Sequence, residues 1–154
     1  MKRIKSILLL LFLGIIINSC SKEKIPERPM SQNDIWACYN NSDWNKLKIR
    51  EKLIGSWKWI YTECFWFPEN AKNTENENIQ IDFLSDSTLN VIVDGKRMSS
   101  TKWTVITEDG KFYGMKLDSH VTQLLYGRIF ICDELVEFND SYIDGCDNYF
   151  KKIQ

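Results

Sequence analysis

Most of the chain alternates apolar and polar residues in short runs separated by turn residues, which is typical of antiparallel β-strands. The clearest run lies at residues 56–66, where aromatic side chains recur at every second position. Asp94-Gly95 is a strong hairpin signal between two later runs. Eight runs predict eight strands, at residues 56–66, 79–83, 89–93, 103–105, 112–117, 124–132, 135–138 and 142–153.

The segments between these runs predict one helix, one long loop and one bulge. Residues 42–43 offer an N-cap, and near-helical spacing of apolar residues up to Gly55 predicts a helix over residues 44–52. Residues 68–78 are rich in Asn and Glu and predict a polar loop. The last strand is expected to carry a bulge at residues 144–145.

Eight short strands joined by tight turns indicate a meander. An open meander leaves two exposed edges, and closing it into a barrel removes both. The fold class expected is therefore all-β, an eight-stranded antiparallel up-and-down β-barrel preceded by a short N-terminal helix. The interior of a barrel of this size is either filled by its own side chains or just able to hold a small ligand.

The N-terminus has the pattern of an export signal. Residues 1–5 are mostly basic, residues 7–17 are apolar apart from one glycine, and Asn18-Ser19 precede Cys20. The apolar run is shorter than the roughly 20 residues of a membrane-spanning helix. The arrangement resembles a bacterial lipoprotein signal, which implies cleavage before Cys20 and acylation of that residue. The alternative is an ordinary signal peptide cut nearby, with Cys20 as a spare thiol.

The expected organisation follows from this signal. Residues 1–19 form the lipoprotein signal peptide, residues 20–41 the lipidated cysteine and a flexible tether, and residues 42–154 the barrel domain. The protein is expected in the cell envelope, anchored to a membrane by lipid. The residues after Cys20 do not resemble an inner-membrane retention signal, so the outer membrane is favoured by analogy.

Composition argues against several classes of function. The 20 basic and 21 acidic residues are mixed along the chain without the basic cluster that nucleic-acid binding requires. His120 is the single histidine and no Cys-x-x-Cys occurs, so no metal or cofactor is expected. No nucleophile elbow or phosphate loop is present, so we expect no enzyme. Glu63, Asp82 and Glu137 are interpreted as exposed strand carboxylates rather than acid–base groups.

Four cysteines follow Cys20 in the chain, namely Cys38, Cys64, Cys132 and Cys146. An even number in an exported protein favours two disulfides, for which three connectivities are open. The alternative is four reduced, buried cysteines.

A family resemblance begins at Leu53-Ile54-Gly55-Ser56-Trp57, which looks like the Gly-x-Trp start of the first lipocalin strand. Together with the segments at residues 67–70, 81–87, 126–138 and 143–150, it makes residues 53–153 resemble a family of small bacterial lipocalin-like lipoproteins. The resemblance implies a lipocalin/calycin-like barrel and little chemistry. It also implies a cation of the last strand over Trp57, for which Lys151 and Lys152 are candidates.

Closure of that barrel would pair its first and eighth strands antiparallel. Cys64 would then meet Cys146 at one end, with Trp57 opposite Ile153 and Tyr61 opposite Tyr149. Cys38 and Cys132 would lie together at the other end. The expected disulfides are therefore Cys64–Cys146 and Cys38–Cys132.

Two functions are open. The first is binding of a small hydrophobic molecule in the barrel, by a monomer whose cavity is lined by aromatic side chains. The second, with a filled core, is a surface protein-interaction module of inhibitor or immunity type, acting through barrel-mouth loops such as residues 68–78. The candidate cavity residues are Trp57, Trp59, Tyr61, Phe65, Phe83, Trp103 and Phe112.

Overall fold

Residues 27–153 are described by a computed structural model, so the expected signal peptide and Cys20 lie outside the described residues. No helix in this described range has the length and apolar character needed to cross a membrane. Two short 3-10 turns lie at Glu75–Glu77 and Ser141–Ile143. The helices and strands are α1 (Gln32–Asn40), α2 (Lys46–Leu53), β1 (Gly55–Cys64), β2 (Phe67–Asn73), β3 (Ile79–Phe83), β4 (Thr88–Val93), β5 (Lys96–Glu108), β6 (Phe112–Leu117), β7 (Arg128–Cys132), β8 (Leu135–Asn139) and β9 (Cys146–Lys152).

Eight strands form a nearly closed antiparallel barrel in the order β6-β5-β4-β3-β1-β9-β8-β7. If β2 is left out, strands that are adjacent in the sheet are also consecutive along the chain. The exception is the pairing of β1 with β9, which joins the two ends of the meander. The expectation of a mostly-β, eight-stranded antiparallel barrel is confirmed. We call the end where α2 leads into β1 the helical end, and the end where β1 finishes and β9 begins the mouth.

The polar loop expected at residues 68–78 is corrected, because its first part is strand β2. β3 pairs with β1 only as far as Lys58, whereas β1 continues to Cys64. β2 takes over this free edge, with Tyr61 opposite Asn73 and Cys64 opposite Phe67. A polar composition did not prevent strand formation here, since the exposed backbone groups of β1 needed hydrogen-bond partners.

The barrel has a seam between β6 and β7, which are not joined in the hydrogen-bonded sheet. Helix α1 lies over this seam. The ring of Trp36 is 5.9 Å from the ring of Phe112 on β6 and 5.4 Å from that of Phe130 on β7. Aromatic packing from α1 therefore bridges the two strands where the backbone ladder is interrupted.

Helix α1 also corrects the expected tether, because residues 28–41 fold against the barrel. Ser31 caps the helix by accepting a hydrogen bond from the backbone N–H of Asp34 at 3.2 Å. Ile35 and Tyr39, one helical turn apart, are buried. Cys38 then forms a disulfide with Cys132 at the end of β7. The second disulfide joins Cys64 to Cys146, and both are the pairs expected for a closed barrel.

The pairing of β1 with β9 contains a bulge at Ile60. Trp59 lies opposite Phe150 and Tyr61 opposite Tyr149, so Ile60 is the extra residue. The bulge shifts the start of β1 by one position, and Trp57 lies opposite Lys152 rather than Ile153. The bulge expected at residues 144–145 is corrected, since those residues follow a 3-10 turn and precede β9.

Candidate functional site: a cavity at the barrel mouth

Three of the seven expected cavity residues fill the interior near the helical end. Trp57, Phe83 and Trp103 are each only 1% exposed. Phe83 and Trp103 pack edge to face at 5.0 Å, and the indole N–H of Trp57 donates to the carbonyl oxygen of Leu53 at 2.7 Å. The polar atom of Trp57 is thus used inside the fold, and this part of the barrel is a packed core.

Three others lie elsewhere, which corrects the expectation of one aromatic cluster. The bulge at Ile60 places Tyr61 on the outer face of the barrel wall. Phe65 is 59% exposed in the turn after β1. Phe112 lies half-buried at the seam beside Trp36. Period-two alternation predicts one face for all of β1, and it cannot reveal a bulge.

Trp59, the seventh residue, lines a cavity of about 390 Å³ at the mouth. The walls come from the end of β1, the start of β9, the loop between β6 and β7, and the segment between β8 and β9. The size lies in the range of small-molecule sites. The lining residues are Trp59, Thr62, Gln123, Leu124, Tyr126, Asp140, Gly145, Cys146 and Asn148.

The bulge brings Trp59 and Thr62 to the same face although they are three residues apart. Their partners Phe150 and Asn148 are two residues apart on β9 and therefore share a face. The hydroxyl of Thr62 donates to the amide oxygen of Asn148 at 2.9 Å, and the Asn148 amide N–H donates to the carbonyl of Cys146 at 3.3 Å. These two polar side chains are therefore bonded within the wall.

Trp59 is different, because its indole N–H is buried and has no hydrogen-bond partner. The side chain is 5% exposed, and the ammonium group of Lys72 lies 5.4 Å from the centre of its ring. An unmade hydrogen bond of a buried donor costs about 1–3 kcal/mol. Trp59 thus lines the cavity and carries an unused donor that is enclosed in the cavity wall.

The rim of the cavity is shaped by carboxylates of the segment between β8 and β9. Asp147 accepts hydrogen bonds from the backbone N–H groups of Asp140 and Ser141, both at 3.0 Å. A side chain at Gly145 would collide with the Asp140 carboxyl group, so the close approach requires glycine. Burial and the neighbouring Asp147 raise the pKa of Asp140. The opposite rim holds Tyr126, whose hydroxyl lies 2.6 Å from Nδ1 of exposed His120.

A second group of polar residues lies on the outer face of the wall, beneath the N-terminal segment. Glu137 is fully buried, which corrects its assignment as an exposed carboxylate. Its Oε1 accepts hydrogen bonds from Tyr149 and Asn139, both at 3.1 Å. Burial, with the nearby Asp147, raises the pKa of Glu137 to about 7. The sequence did not indicate this burial, because α1 rather than the sheet covers the position.

Arg28 links this buried layer to β1. Its guanidinium donates to the Glu63 carboxylate at 2.7 and 3.0 Å and to the side-chain oxygen of Gln32 at 2.9 Å. The Tyr61 hydroxyl donates to the same carboxylate at 3.2 Å. These contacts fasten the first described residues to the mouth end of β1.

Asp82, the remaining carboxylate of the three, is half-buried and accepts a hydrogen bond from the Gln80 amide at 2.7 Å. Within residues 27–153, the one group with metal-ligand spacing is Cys38, Cys132 and Asp133. Its two sulfur atoms are joined in a disulfide, so they are not available as thiolate ligands.

No protein-family model, curated protein or solved structure matches the chain. Function is therefore inferred from the fold and from the mouth cavity.

Proposed function

We propose that this protein is a lipid-anchored, lipocalin-like protein of the cell envelope that binds a small apolar molecule in the mouth cavity. The observation that carries the proposal is the unpartnered indole N–H of Trp59 in the wall of a cavity of about 390 Å³. Such a site combines an apolar surface with few directional polar groups, as small-molecule sites commonly do.

Three features support the lipocalin-like assignment. Helix α2 leads directly into the Gly-x-Trp segment at the start of β1. The barrel is a meander whose first and last strands pair. The ammonium group of Lys152 on the last strand lies 5.2 Å from the centre of the Trp57 ring, as the family resemblance implies for a cation of that strand.

The chemistry of the cavity defines the class of ligand. Thr62 donates to Asn148 and the Asn148 amide donates to Cys146, so Trp59 carries the donor without a partner. A ligand oxygen or ring nitrogen that reaches this enclosed N–H would supply the acceptor. Leu124 and Tyr126 provide apolar contact at the opposite side. We therefore propose a compact, mainly apolar molecule with one hydrogen-bond acceptor.

Mass spectrometry under native conditions, on protein purified from its own envelope, tests this function. A retained small molecule is the expected result. The affinity of that molecule should fall about threefold to tenfold in Trp59→Phe, which keeps an aromatic ring and removes the N–H. Trp66→Phe is the matched control, because Trp66 is 61% exposed and does not line the cavity.

Two results would count against the cavity. One is a combined result in which no small molecule is retained and the Leu124→Trp variant, whose new side chain fills the cavity, still binds an apolar fluorescent probe. That probe is 1-anilinonaphthalene-8-sulfonate, and its binding would have to equal that of the wild type. The other is an equal effect of the Trp59 and Trp66 substitutions. Either would leave the barrel without a ligand site at its mouth.

A further inference from the structure

Three consecutive aromatic residues are exposed where β1 turns into β2. Phe65, Trp66 and Phe67 are 59%, 61% and 56% exposed. The rings of Phe65 and Trp66 contact each other edge to face, with centroids 4.9 Å apart. We call these three residues the aromatic turn. Contiguous exposed apolar surface of this kind commonly marks an interaction site.

The aromatic turn is held firmly. Cys64 at its base forms the disulfide with Cys146, and Phe67 lies opposite Cys64 in the β1–β2 ladder. The backbone N–H of Phe65 donates to the carbonyl of Gly145 at 3.4 Å. The rings are thus presented by a cross-linked corner of the barrel, and not by an unsupported loop.

A neighbouring residue extends the apolar surface. Ile143 is 63% exposed and belongs to the segment that leads through Gly145 to Cys146. Because Gly145 is hydrogen-bonded to Phe65 and Cys146 is joined to Cys64 at the base of the aromatic turn, this segment lies beside the turn. The mouth therefore carries apolar side chains from two adjacent connections.

The path of the N-terminal chain indicates what covers this surface. Arg28 is bound to Glu63, which precedes Phe65 by two residues. Cys20 precedes Arg28 by eight residues, which span at most about 29 Å when fully extended. Acyl chains on Cys20 would therefore hold the aromatic turn within reach of the bilayer.

We propose that the aromatic turn inserts into the head-group region of the membrane that holds the Cys20 lipid, an inference that rests on the proposed lipid anchor. Tryptophan suits this region because its ring is apolar and its N–H can bond to water or head groups. Insertion orients the mouth cavity toward the membrane. An apolar ligand would then pass between bilayer and barrel by a short path.

Quenching of tryptophan fluorescence by brominated lipids tests the insertion. The full-length protein, purified from cells with its acyl chains, is reconstituted into vesicles of phosphatidylethanolamine and phosphatidylglycerol with or without brominated acyl chains. We expect brominated lipid to reduce the emission of the wild type and to have no effect on Trp66→Phe. Trp44→Phe is the control that keeps the quenching, since Trp44 lies between α1 and α2 and stacks on Tyr39.

The possible failures are distinguishable. Acylated protein that sediments with vesicles but shows equal quenching in wild type and Trp66→Phe overturns the insertion and leaves the anchor standing. Wild-type protein purified from cells that carries no acyl chains and does not sediment with the vesicles overturns both. Labelling of a protein rather than lipid by a photoreactive phenylalanine at position 67, in intact envelopes, would assign the aromatic turn to a protein partner and overturn the insertion.

Discussion

Trp59 and Tyr61 are two residues apart on β1, yet their side chains lie on opposite faces of the barrel wall because Ile60 forms a bulge. Trp59 lines the mouth cavity, whereas the Tyr61 hydroxyl donates to Glu63 in the layer under the N-terminal segment. One strand therefore serves both the interior of the barrel and its attachment to α1.

Glu137 should make the stability of the protein depend on pH. Its pKa is raised from 4.5 to about 7 in the folded protein by burial and by Asp147, against the opposing effects of Asn139, Tyr149 and Arg28. Between these values the folded state keeps a proton that the unfolded chain releases, so stability falls as pH rises through this window. The full shift corresponds to roughly 3 kcal/mol.

Urea unfolding at pH 4.5 and pH 8 measures this effect. We expect Glu137→Gln to lose most of the difference between the two free energies of unfolding. Exposed Glu134, in the turn before β8, provides the control substitution Glu134→Gln, which should keep the difference. The same pH dependence in wild type and Glu137→Gln would contradict the assignment.

The two disulfides should contribute similarly to global stability and differently to local order. Their sequence separations are 94 and 82 residues, so restriction of the unfolded chain predicts about 4.5 kcal/mol for each. Replacing both cysteines of a pair by serine, followed by denaturant unfolding, measures the loss. Hydrogen exchange should then show faster exchange in α1 for the Cys38–Cys132 variant and at the mouth for the Cys64–Cys146 variant. Slow exchange of α1 after loss of its disulfide would show that packing alone holds it.

Lys152 should stabilise the helical end of the barrel more than its neighbour Lys151 does. Its ammonium group lies over the Trp57 ring and donates to the carbonyl of Lys52 at 3.1 Å. Lys152→Met should cost about 1–2 kcal/mol of unfolding free energy. Lys151→Met, at an exposed position, should change it by less than about 0.5 kcal/mol. Equal losses in thermal or urea unfolding would argue against a contribution from the cation over Trp57.

Cys20 should carry the membrane anchor. The four other cysteines are paired in disulfides, so Cys20 is the remaining thiol of the chain. Cells given an alkyne fatty acid should label the wild type and Ser21→Ala but not Cys20→Ala, and the last variant should leave the membrane fraction. A labelled or membrane-bound Cys20→Ala protein would refute the anchor.

The sequence by itself was sufficient for the outline of the barrel. Alternation with period two is a local property of a half-buried strand, and it located all eight barrel strands, although it placed the start of β5 seven residues too late. Closure of a meander then pairs its first and last strands, from which both disulfides followed. These conclusions needed no knowledge of side-chain packing.

Other features were decided by the tertiary structure. β2 formed despite its polar residues because β1 extends beyond β3 and left an edge to be paired. Residues 28–41 are part of the fold because Ile35, Trp36 and Tyr39 pack against the apolar surface of β7. The same packing buries Glu137, whose carboxylate accepts a hydrogen bond from Gln32, a residue 105 positions earlier in the chain.

The mouth cavity depended most on this long-range organisation. Aromatic composition drew attention to Trp59, which lines the cavity, but the inserted residue Ile60 separated it from Tyr61 and aligned it with Thr62. A bulge leaves no periodic pattern in the sequence, because its position depends on the register of β9 and on the burial of both faces of β1. Local sequence patterns thus determined the strands and their order, whereas competition among distant contacts decided which side chains face the cavity.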